Sequence, residues 1–157
     1  MKRLKKLSIL LAVLVVVCIA AYGISRYEEH KEEIKNTDEV ILSIDNDDVN
    51  ALSLEYSDTA LSFHKSDEGV WMYDEDDAFP VDSDMIDKLL SVFNSFGASF
   101  IIENVDDFSQ YGLDEPTCTI KLTTADNEYS VLLGAYSTMD QERYVSTGDG
   151  NVYLTSV

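Results

Sequence analysis

The chain has 157 residues, enough for one modest domain and an appendage, and 45% of them are hydrophobic, which excludes a disordered tail. The formal net charge of -19 is unevenly spread: residues 1–25 carry Lys2, Arg3, Lys5 and Lys6 and no acid, and the remainder holds seven bases against 30 acids. Such a surface repels phosphate backbones and anionic lipid, which argues against nucleic acid as a partner, and two cysteines set far apart, Cys18 and Cys118, exclude a disulfide scaffold.

The amino-terminal run "MKRLKKLSILLAVLVVVCIAAYGIS" is a basic head followed by 19 uncharged residues, 7–25. As a helix that run spans about 28 Å, close to the thickness of a bilayer's hydrocarbon core. Residues 1–25 are therefore expected to form a cytoplasmic basic head and a single transmembrane anchor, with the carboxyl-terminal domain outside. The competing reading is a cleaved signal peptide, for which Ala21, Tyr22 and Gly23 offer small residues at the required spacing, and which gives a secreted domain. The three valines before Cys18 do not fit a lipoprotein. Residues 26–38 form a charged juxtamembrane spacer, in which Glu28 with Lys31 and Glu32 with Lys35 suit an extension of the anchor helix, ended by Asn36, Thr37 and Asp38.

From residue 39 the apolar period becomes two. Val40, Leu42 and Ile44 alternate, then Leu52, Leu54 and Tyr56, then Leu61 and Phe63, and "VWMY" (70–73) follows. Four short strands separated by polar turns predict an antiparallel meander. Trp71 and Tyr73 on one face and Val70 and Met72 on the other suggest that the fourth strand is covered on both sides. Pro80 keeps Phe79 extended, Asp82 suits a helix N-cap, and Val81 and Ile86 suit a hydrophobic staple. The helix carries Met85, Leu89 and Phe93, with Ile86 and Leu90 beside them and Phe96 continuing the stripe. "ASFIIE" (98–103) predicts a fifth strand. "VDDFSQYGLDEP" predicts a loop with one helical turn ending at Gly112. A second strand group follows, with Cys118, Ile120 and Leu122, then Tyr129, Val131 and Leu133, then a hairpin of "RYVST" and "VYLTS" about "GDGN". The closing "VYLTSV" predicts an exposed strand edge. The fold class is α+β: an antiparallel meander with one main packed helix and a second strand group over residues 39–157, preceded by the transmembrane helix.

The residues most suggestive of chemistry are the consecutive acids Asp74, Glu75, Asp76 and Asp77. An EF-hand loop needs Gly at its sixth position and Glu at its twelfth. Counted from Asp74 these are Phe79 and Met85, and counted from Asp45 they are Asn50 and Tyr56, so neither loop fits. The four acids are expected to be a solvated turn before the helix, with a cation site pooled from several loops as the alternative. Cys118 reads as a small buried hydrophobe, because a nucleophile needs a nearby base and only His30 and His64 are available. The chain holds no G-x-S-x-G, phosphate-cradling Gly-rich loop, H-E-x-x-H or C-x-x-C pattern. No catalytic residue, metal ligand or cofactor is assigned.

"GVW" leading to "FPVDSDMIDKLLSVF", then "YGLDEP" before "TIKL", then "VLLG", and finally "RYV" and "VYL" resembles the bacterial domain-of-unknown-function-4340 family over about residues 39–157. The resemblance implies an exported, amino-terminally anchored protein, because members are similar in that respect, and some occur beside components of ABC-type transporters, including gliding-motility-type systems. It carries no catalytic residues. Relatives tend to continue past the point that "VYLTSV" matches, so the domain is expected to be shortened there. The expected function is a non-enzymatic, membrane-anchored extracytoplasmic domain. It would be accessory to an envelope ABC-type transport system and partnered by a permease or a sibling anchored protein. The alternative is an exported ligand- or cation-binding module using the acidic loops.

Overall fold

Alternating apolar runs broken by Asp-, Ser- and Gly-rich turns become strands of one antiparallel sheet. The computed structural model describes residues 33–156, with side chains from residue 39. The predicted basic head and anchor, and the first part of the spacer, lie outside the described residues. Among the described residues no helix is long and apolar enough to cross a membrane. The elements are β1 (Glu33–Leu42), β2 (Val49–Tyr56), β3 (Thr59–Lys65), β4 (Trp71–Tyr73), α1 (Ser83–Ser91), β5 (Phe96–Glu103), β6 (Cys118–Thr124), β7 (Glu128–Ser137), β8 (Glu142–Ser146) and β9 (Val152–Thr155). The nine strands lie in the order β1-β5-β9-β8-β7-β6-β2-β3-β4. The α+β class with an antiparallel sheet and one packed helix is as expected.

The arrangement of the strands departs from expectation in three places. First, only β2, β3 and β4 form the early meander, in the register Leu52 with Phe63 and Phe63 with Tyr73. β1 instead pairs with β5 at the opposite end of the sheet, Val40 facing Gly97. The link between β1 and β2 is not a tight hairpin. It contains a 3-10 turn, Asn46–Asp48, capped by the Asp45 side chain, and the Ile44 N–H donates to the Phe93 carbonyl at 2.8 Å, which ties the link to the end of the helix. Second, the later strands are not a separate group. β6 pairs with β2, Leu54 facing Ile120, so both groups share one ladder. Third, Glu33, Ile34, Lys35 and Asn36 pair with β5, where charge spacing suited a helical extension ended by Asn36, Thr37 and Asp38.

The link also dictates the sheet's curvature. β1 and β2 are six strand spacings apart in the order, about 29 Å across a flat sheet. Residues 43–48 reach at most about 25 Å fully extended, and part of that length is wound into the turn. The sheet must therefore coil. α1 lies against its inner face, where Ile86, Leu90 and Phe93 share one buried cluster with Leu52, Trp71, Ala98, Leu122, Val131, Val145 and Tyr153. The helix presents a face turned slightly from the predicted one: Met85 is 69% exposed, and Leu89 sits at the margin of the core.

Helix α1 starts where the sequence places it. The Asp82 carboxylate accepts from the N–H groups of Asp84 (3.1 Å) and Met85 (3.3 Å), and Val81 packs against the same core as Ile86. At its far end Val92–Ser95 tightens into a 3-10 turn that delivers Phe96 to β5, with the Phe93 and Phe96 rings 5.4 Å apart.

The outer face of the sheet carries a second cluster of Ile102, Val105, Leu113, Val152 and Leu154, closed by Phe100, Phe108, Tyr111, Leu132 and Tyr144. Residues 104–117 supply its cover, including the predicted helical turn Ser109–Tyr111, which ends at Gly112 with φ +66°. All four residues of β9 are buried, because that strand has neighbours on both sides and cover on both faces. The predicted exposed edge at "VYLTSV" is thus an interior strand. The outermost strands are β1 and β4.

Replacing Asp82 by Ala leaves two helix-start N–H groups without their acceptor and is expected to lower stability by about 1 kcal/mol, with Asn retaining most of it. Chemical denaturation of the three proteins measures the difference.

Candidate functional site: a cleft beside β4

The four consecutive acids do not act together. Asp74 is drawn to His64, with Oδ1 2.6 Å from Nδ1, because β3 and β4 pair His64 with Met72 and leave the next acid within reach. Glu75 accepts from the Tyr73 hydroxyl at 3.0 Å. That bond, with slight burial and the neighbouring negative charges, raises the Tyr73 pKa. Asp76 folds the turn on itself, its side chain accepting from the Ala78 N–H at 3.0 Å and its carbonyl from the Phe79 N–H at 2.9 Å. Asp77 alone accepts nothing from the described residues and lines a cleft.

That cleft has a volume of about 640 Å³. On one side stands the turn between β3 and β4, with Ser66, Asp67 and Glu68, and on the other the lead-in to α1, with Asp77, Phe79 and Pro80. Between them lie Val70, Trp71 and Met72. Val70 and Phe79 are 53% and 56% exposed. Phe79 is fixed by its backbone bond to Asp76 and by a tilted ring contact with Tyr73 at 5.7 Å, and Tyr73 in turn contacts Phe63 at 5.5 Å. The carboxylates of Asp67 and Glu68, like that of Asp77, accept no hydrogen bond from the described residues. The neighbouring cation is turned away: Lys65 donates to the Asn46 carbonyl at 3.1 Å and lies 5.2 Å from the Trp71 ring centre. Trp71 is only 4% exposed, and its indole N–H is buried without a partner. Trp71 and Tyr73 were expected on a strand covered on both sides; within β4 Trp71 is buried and Met72 and Tyr73 are half-buried, while Val70, just before the strand, is exposed.

Among the described residues no group of three or more His, Cys, Asp and Glu is placed to hold a metal ion. A smaller cavity of about 200 Å³ gathers Asp45, Asp48 and Asp126 between the first link and the turn from β6 to β7, but Asp45 is occupied by capping the 3-10 turn. Cys118 opens β6 at the margin of the core, and burial pushes its thiol pKa up against the smaller opposing pull of Arg143. That direction disfavours the thiolate.

Sequence reasoning singled out Asp74, Glu75, Asp76 and Asp77, and the structure brings only the last to the cleft. It passed over Asp67, Glu68, Val70 and Phe79. One available signal was the shortness of the strand between "SDEG" and "DAFP": a three-residue β4 sets its two flanking turns side by side.

The fold is that of a small antiparallel α+β domain whose connecting loop straps the outer face of the sheet. Residues 71–157 match the family described as "Domain of unknown function (DUF4340)", and the chain belongs to that family. No curated protein and no solved structure matches it. The features that carry the resemblance are structural: Trp71 lies in the core, residues 79–82 lead into α1, and on β7 Tyr111 and Leu113 seat on Gly134 and Gly112 on Ala135.

Because the acids point to separate partners, thermal melts are expected to rise only gradually with added salt, equally for sodium and calcium at matched ionic strength. A saturable rise in melting temperature with micromolar calcium alone would contradict this, since selective binding to the native state stabilises by mass action.

Proposed function

We propose that the chain is a non-enzymatic, membrane-anchored extracytoplasmic domain that serves as an accessory subunit of an envelope transport system of the ABC type. Its partner would be a multi-span permease or a sibling anchored protein. The observation that carries this reading is the cleft beside β4: two large apolar side chains are held exposed on a rigid frame, bordered by carboxylates that the domain itself leaves unpaired. Exposed apolar groups in such a setting support a surface for contact. The uncharged run at residues 7–25 and its basic head support the anchor.

A second reading, an exported module binding a cationic ligand, draws on the same cleft, whose volume suits a small molecule. Mild crosslinking in native membranes separates the two. The accessory reading expects a permease or another anchored protein to be captured. Capture of the chain by itself alone, or of nothing, contradicts it and leaves the ligand-binding module.

A further inference from the structure

We propose that the cleft beside β4 is a docking site for an extended segment of a partner protein that carries lysine or arginine between apolar residues. The proposal rests on the accessory reading above and names the surface and the chemistry by which the partner is held.

Charge selects the occupant. Asp67, Glu68 and Asp77 border the cleft from both sides, and none of these carboxylates is engaged by a described residue. Lys65, the base paired with β4, is committed to the Asn46 carbonyl and the face of Trp71. A cation entering from outside therefore meets negative charge that the domain does not neutralise. Beyond residue 25 the chain carries seven bases against 30 acids, which steers a basic partner and repels a second copy of the same domain.

The apolar surface decides between a bare ion and a side chain. Val70 and Phe79 are more than half exposed and line the cleft with Met72, so the cleft can cover the methylene stem of a lysine or arginine while its head reaches the acids. The Phe79 ring, held by Tyr73, adds a face for the cation. The absence of any close trio of ligating side chains among the described residues disfavours a divalent ion.

Trp71 is the only tryptophan in the chain, so its emission reports directly on the cleft. The test uses the full chain in non-ionic detergent, titrated with a capped hexapeptide of alternating lysine and leucine. A saturable change in emission is expected. Joint replacement of Asp67, Glu68 and Asp77 by Ser is expected to weaken binding by about tenfold, and Phe79→Ser by about fivefold. Joint replacement of Asp106, Asp114 and Glu115 by Ser removes the same charge elsewhere and is expected to change affinity by less than about twofold. Thermal melts of all variants keep loss of binding apart from loss of fold. The proposal is overturned by no change in emission. It is equally overturned by equal binding of a peptide with serine in place of leucine, by equal weakening in the remote triple variant, or by a peptide-independent change on dilution, which would assign the cleft to a second copy. In native membranes, a partner captured undiminished by the cleft triple variant removes the docking site and leaves the accessory reading. Peptide binding with no captured partner supports the site and removes that reading.

Discussion

The chain leaves β5 and must reach β6 with β9, β8 and β7 lying between them. The inner face of the coiled sheet is filled by α1, so residues 104–117 cross on the outer face, and much else in the domain follows from that crossing. The crossing segment is locked to itself before it is locked to the sheet. The Ser109 N–H and hydroxyl donate to Asp107 at 2.9 and 2.5 Å, holding that carboxyl below its usual pKa, and Gly112 closes the turn with a left-handed φ that other residues resist. It then descends onto β7. A Cβ at Gly134 would overlap the Tyr111 carbonyl oxygen and stand 2.9 Å from the Leu113 side chain, and the Thr117 N–H donates to the Leu133 carbonyl at 2.8 Å. Val105 and Leu113 come from the strap and Ile102, Val152 and Leu154 from the sheet, each burial contributing roughly 1.5–3 kcal/mol.

Strapping one face and filling the other covers β9 on both sides, which is why all four of its residues, Thr155 included, are buried. β4 is kept to three residues, and its flanking turns fold back beside it, an arrangement that shields an edge from indiscriminate strand pairing. The same folding back brings Asp67, Val70, Asp77 and Phe79 to one cleft.

How much of this was legible in the sequence depends on the range over which each feature is decided. The helix lead-in at residues 79–82, the turn ending at Gly112, the hairpin about "GDGN" and the period-two strands were readable because each is set by neighbours within a few residues. The position of β1 was not: Val40, Leu42 and Ile44 alternate like any first strand of a meander, and nothing local says that their partner is β5, more than 50 residues on. β9 looked like an edge because its burial depends on two strands and a strap from elsewhere. Met85 entered the predicted stripe because i, i+4 spacing allows several faces, and the sheet selects the one through Ile86, Leu90 and Phe93. At the cleft, a run of four acids is conspicuous in a sequence, but three are consumed by His64, Tyr73 and Ala78. The acids that remain with Asp77 lie about ten residues away across a strand, where hairpin geometry rather than composition brings them near.

Unfolding of Gly134→Ala by denaturant, followed by Trp71 fluorescence, tests most directly whether the seating of the strap on β7 governs this fold. Gly134 does not have a positive φ, so alanine is not resisted by the backbone and any loss is steric. A loss of about 2–3 kcal/mol is expected, because the opposing atoms belong to a backbone carbonyl and a buried leucine that cannot withdraw without opening the outer cluster. A change within about 0.5 kcal/mol, the range of an unconstrained surface site, would contradict the account.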